Sequence, residues 1–291
     1  MERSEIQKKL DSIKDLPTLP AIAMEINSLL QASETTVETI AESIEKDQSI
    51  AAKVLKLINS AFFGVRSKVT NIHDAIVLLG FNSIRNIVLS VSVMKAFSKS
   101  DATEGFNIAD FWKHSIAVAM TSKKMSEMSK VSSPEDAFTG GLLHDIGKII
   151  MAQYFREIFL LTVSDCESKS IPFSKAEKNH LQGMGHGKMG AFLTDKWKFP
   201  QSLTQAIGTH HSAIDNMSEL GIIVHCADII VNIQTINKTS LDIEKKKSRM
   251  PIFNKEATSQ LKTLFGTCGE WYPELEEAID DACSFFIEDA G

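Results

Sequence analysis

A chain of 291 residues, 43% hydrophobic and 23% charged, can bury a sizeable core as one large domain or two smaller ones. A formal net charge of −6 argues against general affinity for nucleic acid or anionic membrane, and no uninterrupted apolar run approaches the roughly 18 residues of a membrane span. The opening MERSEIQKKLDSIKD lacks an apolar signal core, and Cys166, Cys226, Cys268 and Cys283 form no CxxC pair, so an unsecreted, cytoplasmic protein with reduced thiols is expected.

Helical periodicity then runs through nearly the whole chain. Residues 5–14 are amphipathic and stop before LPTLP, whose prolines disfavour helix at the residues before them. Residues 21–30 space Ile22, Ile26, Leu29 and Leu30 on one helical face. A helix from Thr36 passes Ile40 and Ile44 to a break at Lys46-Asp47, and residues 49–60 align Ile50, Val54, Leu57 and Ile58. FFGVRSKVTN reads as loop, and IHDAIVLLG as a short helix closed by Gly80. Residues 83–97 are assigned to helix although their Val and Ile content also suits a strand. That segment is too apolar to face water on any side, which predicts that the parts before and after KSDATEG (residues 99–105) pack as one unit.

Beyond KSDATEG, Asn107 caps a helix over residues 108–128, and Ser133-Pro134 opens another running toward GGLLHDIGKII. His144 and Asp145 are therefore expected inside a helix otherwise built for a core. Residues 238–254 read as a charged loop whose Lys245-Lys246-Lys247 run is a solvated turn, and two amphipathic segments follow. The expectation is an all-α chain with parts at 1–105, 106–240 and 241–291. The helix–turn–helix-like pair at 36–60 offers only Lys53 and Lys56 on its second helix, too little for phosphate contacts, so nucleic acid is not an expected partner.

The histidines concentrate in the second half: His114, His144 beside Asp145, His186, the pair His210-His211, and His225 one turn before Asp228. Each lies among small or apolar residues (WKHSIAVA, LLHDIGK, GHGKMGA, IGTHHS, HCADII), where an unpaired polar group costs about 1–3 kcal/mol. A divalent cation between several imidazoles and carboxylates would satisfy them together. Imidazole with carboxylate suits iron, manganese, nickel or zinc, and the lack of cysteine ligands speaks against a structural zinc site. Asp110 shares a helix face with His114 and offers a further ligand or a bond that holds the ring; it equally suits a capping box with Asn107. Lys148 lies one turn after His144 and could meet a phosphate or cap a helix end. His225 reads as a core or supporting residue, and His73 and His180 as surface or loop.

Taken in order, these motifs resemble the HD superfamily of metal-dependent phosphohydrolases. LPTLPAIAMEI, IEKDQSIAAKVLKLINSAFFG and IHDAIVLLGFNSIRNIVLSVSV in the first half make the resemblance closer to HDOD proteins, the HD-related output domains of bacterial signalling. FWKHSIAVA, GGLLHDIGK, HGKMGAFLTDKWKFP and AIGTHH continue it, over roughly residues 14–235. The resemblance implies an HD-domain-like helical bundle with an N-terminal helical subdomain packed against it. Mapped from the related HD-GYP phosphodiesterases, it implies a ligand set of His114, His144, Asp145, His186, His210, His211 and Asp228, with Asp110 at the place of an extra acidic ligand. One or two divalent transition-metal ions are expected, iron or manganese before nickel or zinc.

HHSAIDNMSEL carries no glutamate after His211 and no Gly-Tyr-Pro element, unlike the cyclic di-GMP hydrolases. The resemblance therefore implies a cytoplasmic regulatory module that contacts signalling proteins through its N-terminal helices. The alternative is a phosphohydrolase acting on a nucleotide or other phosphorylated small molecule, with Lys148 steadying phosphate charge.

Overall fold

The computed structural model describes residues 2–13, 16, 21–30, 35–59, 65, 67–97, 105–237 and 259–288, and every element among them is helical. The first half holds α1 (Arg3–Ser12), α2 (Ala21–Leu29), α3 (Val37–Glu45), α4 (Gln48–Ile58) and α5 (Ile72–Phe97). The break expected at Lys46-Asp47 is the start of α4, because the Asp47 side chain accepts the Ile50 N–H and fills one orphan donor of the new helix. Asn59 closes α4 and pins the following segment: its side-chain amide donates to the Val69 carbonyl and its oxygen accepts from the Val69 N–H, both at 2.7 Å. The remainder of the expected loop at 62–71, apart from residues 65 and 67–71, lies outside the described residues, as do the prolines of LPTLP.

Helix α5 organises this half. Helices α2, α3 and α4 pack against it, and its buried face carries Ile84, Ile87, Val88, Val91 and Phe97. The two segments expected on either side of Gly80 form one helical stretch, broken at Gly80 by φ 79° and ψ 165°. That backbone region is nearly closed to residues with a Cβ, so the glycine expected to close the first helix is the residue at which the helix breaks. Joined across the kink, α5 is long and apolar enough to cross a membrane by length and composition, which corrects the expectation that no segment is. Of its most apolar window 61% is buried inside the protein, and core packing is sufficient reason for its composition.

The second half begins with α6 (Ile108–Ser129), followed by α7 (Pro134–Leu143), α8 (Ile146–Tyr154), α9 (Arg156–Lys169) and α10 (Phe173–Ala176). A 3-10 turn at Glu177–Asn179 leads to α11 (His186–Lys196) and α12 (Gln201–Thr209); a second at Ile214–Asn216 precedes α13 (Glu219–Asn237). The chain's last elements are α14 (Ser259–Gly266), α15 (Cys268–Trp271) and α16 (Pro273–Glu288). Asn107 caps α6 through the Ala109 and Asp110 N–H groups, and Ser133 caps α7 through that of Asp136. Helix α6 lies at the centre, in contact with α7, α13, α14 and α16, while α11 sits against α8 and α12.

Helix α7 joins the halves, because α5 packs on its other side. There Asn86, buried on α5, donates to Asp136 Oδ1 at 2.6 Å. Apolar side chains from Ile6 to Ala282 form a single buried cluster. Of the expected boundaries, residues 98–104 and the charged loop from 238 with its lysine run lie outside the described residues.

The Gly80 kink gives a direct test of this arrangement. An alanine Cβ there would meet no atom within 4 Å, so Gly80→Ala isolates the backbone cost. We expect a loss of about 1–3 kcal/mol in urea denaturation at unchanged slope; unaltered stability would mean that the kink relaxes freely.

Candidate metal centre

His144 and Asp145 occupy the two-residue turn between α7 and α8, not the interior of a helix as expected. The glycines of GGLLHDIG explain the position. A Cβ on Gly141 would lie 2.7 Å from the Cα of Ala119 on α6, and one on Gly147 would lie 1.9 Å from the carbonyl oxygen of His186. Only without side chains can α7 rest on the backbone of α6 and α8 on that of α11. The turn is thereby held between the helices that supply the other histidines.

Two rings are aimed by the helix ends that carry them. The last carbonyls of a helix lack intrahelical donors. His144 Nδ1 lies 2.7 Å from the Gly141 carbonyl at the end of α7, and His210 Nδ1 lies 2.7 Å from the Ile207 carbonyl at the end of α12. Each Nδ1–H therefore donates to its own helix, which leaves Nε2 as a lone pair directed away from it. His186 opens α11 and is held at its other nitrogen by Glu177, whose Oε2 accepts from Nδ1 at 2.9 Å and from the His186 N–H at 2.8 Å.

The donor atoms gather in two adjoining groups, Asp145, His186, His210 and His211 in one and His114, His144 and Asp228 in the other, each within 4.8 Å. In the first, Asp145 Oδ1 lies 3.1 Å from His186 Nε2 and 3.9 Å from His210 Nε2. In the second, Asp228 Oδ1 lies 3.1 Å from His114 Nε2 and 3.7 Å from His144 Nε2. The groups meet where Asp145 Oδ2 approaches His144 Nε2 at 3.3 Å and Asp228 Oδ2 approaches His211 at 3.9 Å.

These residues fit a divalent ion. His144 Nε2 and Asp145 Oδ1 are buried without a hydrogen-bond partner, and an orphaned acceptor in the interior is costly. Ligands bound at about 2.1 Å around one ion lie no more than about 4.2 Å apart, a limit that the carboxylate–imidazole pairs within each group, 3.1 and 3.9 Å in the first and 3.1 and 3.7 Å in the second, meet. Without an ion, charge is redistributed among the same groups. Burial pushes His144 down, but Asp145 and Asp228 outweigh it and raise it to about 10. Burial pushes Asp145 up, yet His144 and Lys148 hold it well below the carboxylate range. Burial and the neighbouring rings depress His210 strongly, and burial and His186 lower His211 to about 3.

Seven of the expected residues thus converge: His114, His144, Asp145, His186, His210, His211 and Asp228. Asp110 does not. Its side chain is 69% exposed and lies 3.9 Å from Lys113, at the third position of α6 where an acidic group suits the helix start. Lys148 borders the cluster, with Nζ 2.5 Å from Asp145 Oδ2 and 5.0 Å from the centre of the Phe173 ring. His225 lies edge-on to His211, with ring centres 6.1 Å apart. His73 is on the surface facing Glu38 and Asp74, whereas His180 is partly enclosed and meets Asp165 at 3.1 Å. Sequence reasoning passed over Glu177, a buried carboxylate in a polar stretch, and Asn232, whose amide donates to Asp228 Oδ1 at 2.7 Å. For Asn232 its spacing of one helical turn after Asp228 was an available signal.

A family model for the HDOD domain matches residues 16–213. This chain belongs to the HDOD family. Its fold is that of HDOD proteins of known structure: a candidate phosphohydrolase from Shewanella amazonensis has a TM-score of 0.73 at 24% identity, with 97% of each chain covered. An HDOD domain protein of unknown function from Geobacter sulfurreducens also gives 0.73, at 20% identity over 97% of this chain and 99% of that one. Among curated proteins, one from Treponema pallidum (strain Nichols) is 23% identical over 202 residues, which are 69% of this chain and 39% of that protein. YuxH of Bacillus subtilis (strain 168) is 27% identical over 134 residues, 45% of this chain and 31% of that protein. The HDOD chain thus spans well under half the length of these curated relatives. The HDOD match ends at 213, so Asp228 and the helix that carries it lie beyond it.

Replacing Asp145 by Ala should remove most metal carried by protein grown in metal-replete medium and destabilise it by about 3 kcal/mol or more, since buried His144 and Lys148 lose their counter-charge. Asp110→Ala should leave metal content unchanged. Elemental analysis of the three proteins checks both; less than about a tenth of an equivalent in the wild type would show that the site does not hold metal.

Proposed function

We propose that this HDOD protein is a bacterial, cytoplasmic signal-transduction module in which His114, His144, Asp145, His186, His210, His211 and Asp228 hold one or two divalent ions, iron or manganese by preference. The reading rests on Lys148. Its ammonium group is turned onto Asp145 and against the face of Phe173, so its charge is directed into the ligand shell. In this reading the ions brace the second half, and α7 carries that rigidity to α5 and the N-terminal helices. Those helices would contact a signalling protein; Met24, Val77 and Leu78 stand exposed on them. A phosphorylated small molecule would reach the cluster past His114, His211 and Lys148, whose side chains are about a quarter exposed.

Hydrolysis of a phosphoester is the second reading. The observation favouring it is the adjoining pair of donor groups, the arrangement of two-metal sites, in which paired ions lower the pKa of water and clamp phosphate oxygens. Lys148 would then have to leave Asp145 to meet phosphate charge, giving up a buried ion pair.

An assay separates the two. Manganese- and iron-loaded protein should not turn over cyclic di-GMP above a metal-only control, and should hydrolyse p-nitrophenyl phosphate at most slowly, with Asp145→Ala as blank. Robust turnover abolished by that substitution would establish the hydrolase in place of the module.

A further inference from the structure

His186 is unlike His144 and His210 in how its far nitrogen is held. His144 and His210 donate Nδ1–H to neutral backbone carbonyls of their own helices. His186 donates instead to the carboxylate of Glu177, which is buried and also takes the ring's own backbone N–H. An imidazole held by an anion is a stronger Nε2 donor than one held by a carbonyl.

The surroundings of Glu177 fix its reach from three sides. Asp165 on α9 accepts from the Asn179 amide at 2.8 Å and meets His180 Nε2 at 3.1 Å, which ties down the short turn bearing Glu177. Gly185 leaves the space the carboxylate occupies: a Cβ there would lie 2.2 Å from Glu177 Oε1. Phe173, on the same segment, sits edge-on to His186 at 5.7 Å and beneath the Lys148 ammonium. The segment from Phe173 to Glu177 therefore lies against the four-donor group on its His186 side.

We propose that Glu177 is a positioning residue that fixes His186 as an Nε2 ligand and makes this four-donor group the tighter of the two ion sites. The proposal rests on the metal-binding reading above and extends it to a residue that touches no ion. It also assigns an order: the four-donor group fills before the group of His114, His144 and Asp228.

The test is a titration of metal-free protein with Mn2+ alone, followed by calorimetry, beside the melting of each metal-free protein. Glu177→Gln keeps the shape and an accepting oxygen but removes the charge, and should weaken the tighter binding event about 10- to 100-fold. His114→Ala should remove the weaker event rather than the tighter one. Glu177→Asp keeps the charge but shortens the reach; it should weaken binding similarly and carries the test if the glutamine variant does not fold. A folded variant at Glu177 that binds Mn2+ as tightly as the wild type overturns the proposal, whatever its melting temperature. Loss of the tight event in His114→Ala overturns the assigned order. A wild type that binds no Mn2+ overturns the metal reading itself, a result distinct from either.

Discussion

The candidate metal centre depends on where its buried imidazoles, His144, His186 and His210, place their protons. A neutral imidazole has one donor and one acceptor nitrogen, and the environment of one decides the role of the other. For His144 and His210 that environment is the spent end of a helix, and for His186 it is a buried carboxylate. The inward nitrogens are left as lone pairs facing one another and two carboxylates, with His186 and His210 Nε2 only 3.3 Å apart. Lone pairs that converge in a dry interior repel unless something positive lies among them. Protons can serve, but a divalent ion satisfies more of the set at once.

The same constraint accounts for the shape of the polypeptide around the site. Long helices would bury their terminal carbonyls far from the cluster; instead α7, α8, α11 and α12 are short and begin or end at residues of the cluster. Gly141 and Gly147 then allow neighbouring backbones to approach more closely than any side chain permits. The hydrophobic core supplies the affinity between helices, and the glycines supply the register. Because α7 touches α5 through Asn86 and Asp136 and ends at His144, order imposed on the cluster is order imposed on the junction of the two halves.

The clustered histidines and aspartates and the helical class were legible because both leave periodic or compositional marks. Histidines among small apolar residues are conspicuous, and their order along the chain carries the family resemblance. Helix starts at Thr36, Asn107 and Ser133 were equally legible, since capping chemistry is local. Features set by tertiary geometry were not. Asp110 shares a helix face with His114, yet one turn of rise and a small rotation put its carboxylate outside. Glu177 stands among lysine, asparagine and histidine and looks solvated; only the approach of α11 buries it. The α7–α8 turn was hidden because Leu142, Leu143, Ile146 and Ile149 keep helical spacing across it.

A charge count ties the site to its proposed role. Counting Asp145, Glu177 and Asp228 as carboxylates and Lys148 as ammonium, three negative charges against one positive leave two, with the imidazoles neutral. One divalent ion balances that sum, and the interior is then neutral overall, as a buried site with few routes to water requires. In the proposed reading a second ion adds two positive charges that nothing built into the shell offsets, so its stable binding calls for an anion to enter with it. Lys148 is the adjustable element in this balance. While it stays on Asp145 the single-ion state is complete, and releasing it toward a phosphate would expose negative charge for a second ion to meet. Binding of a phosphorylated ligand and of the second ion are then linked events. That linkage would give a module whose ligands brace it a means of reporting whether they are present.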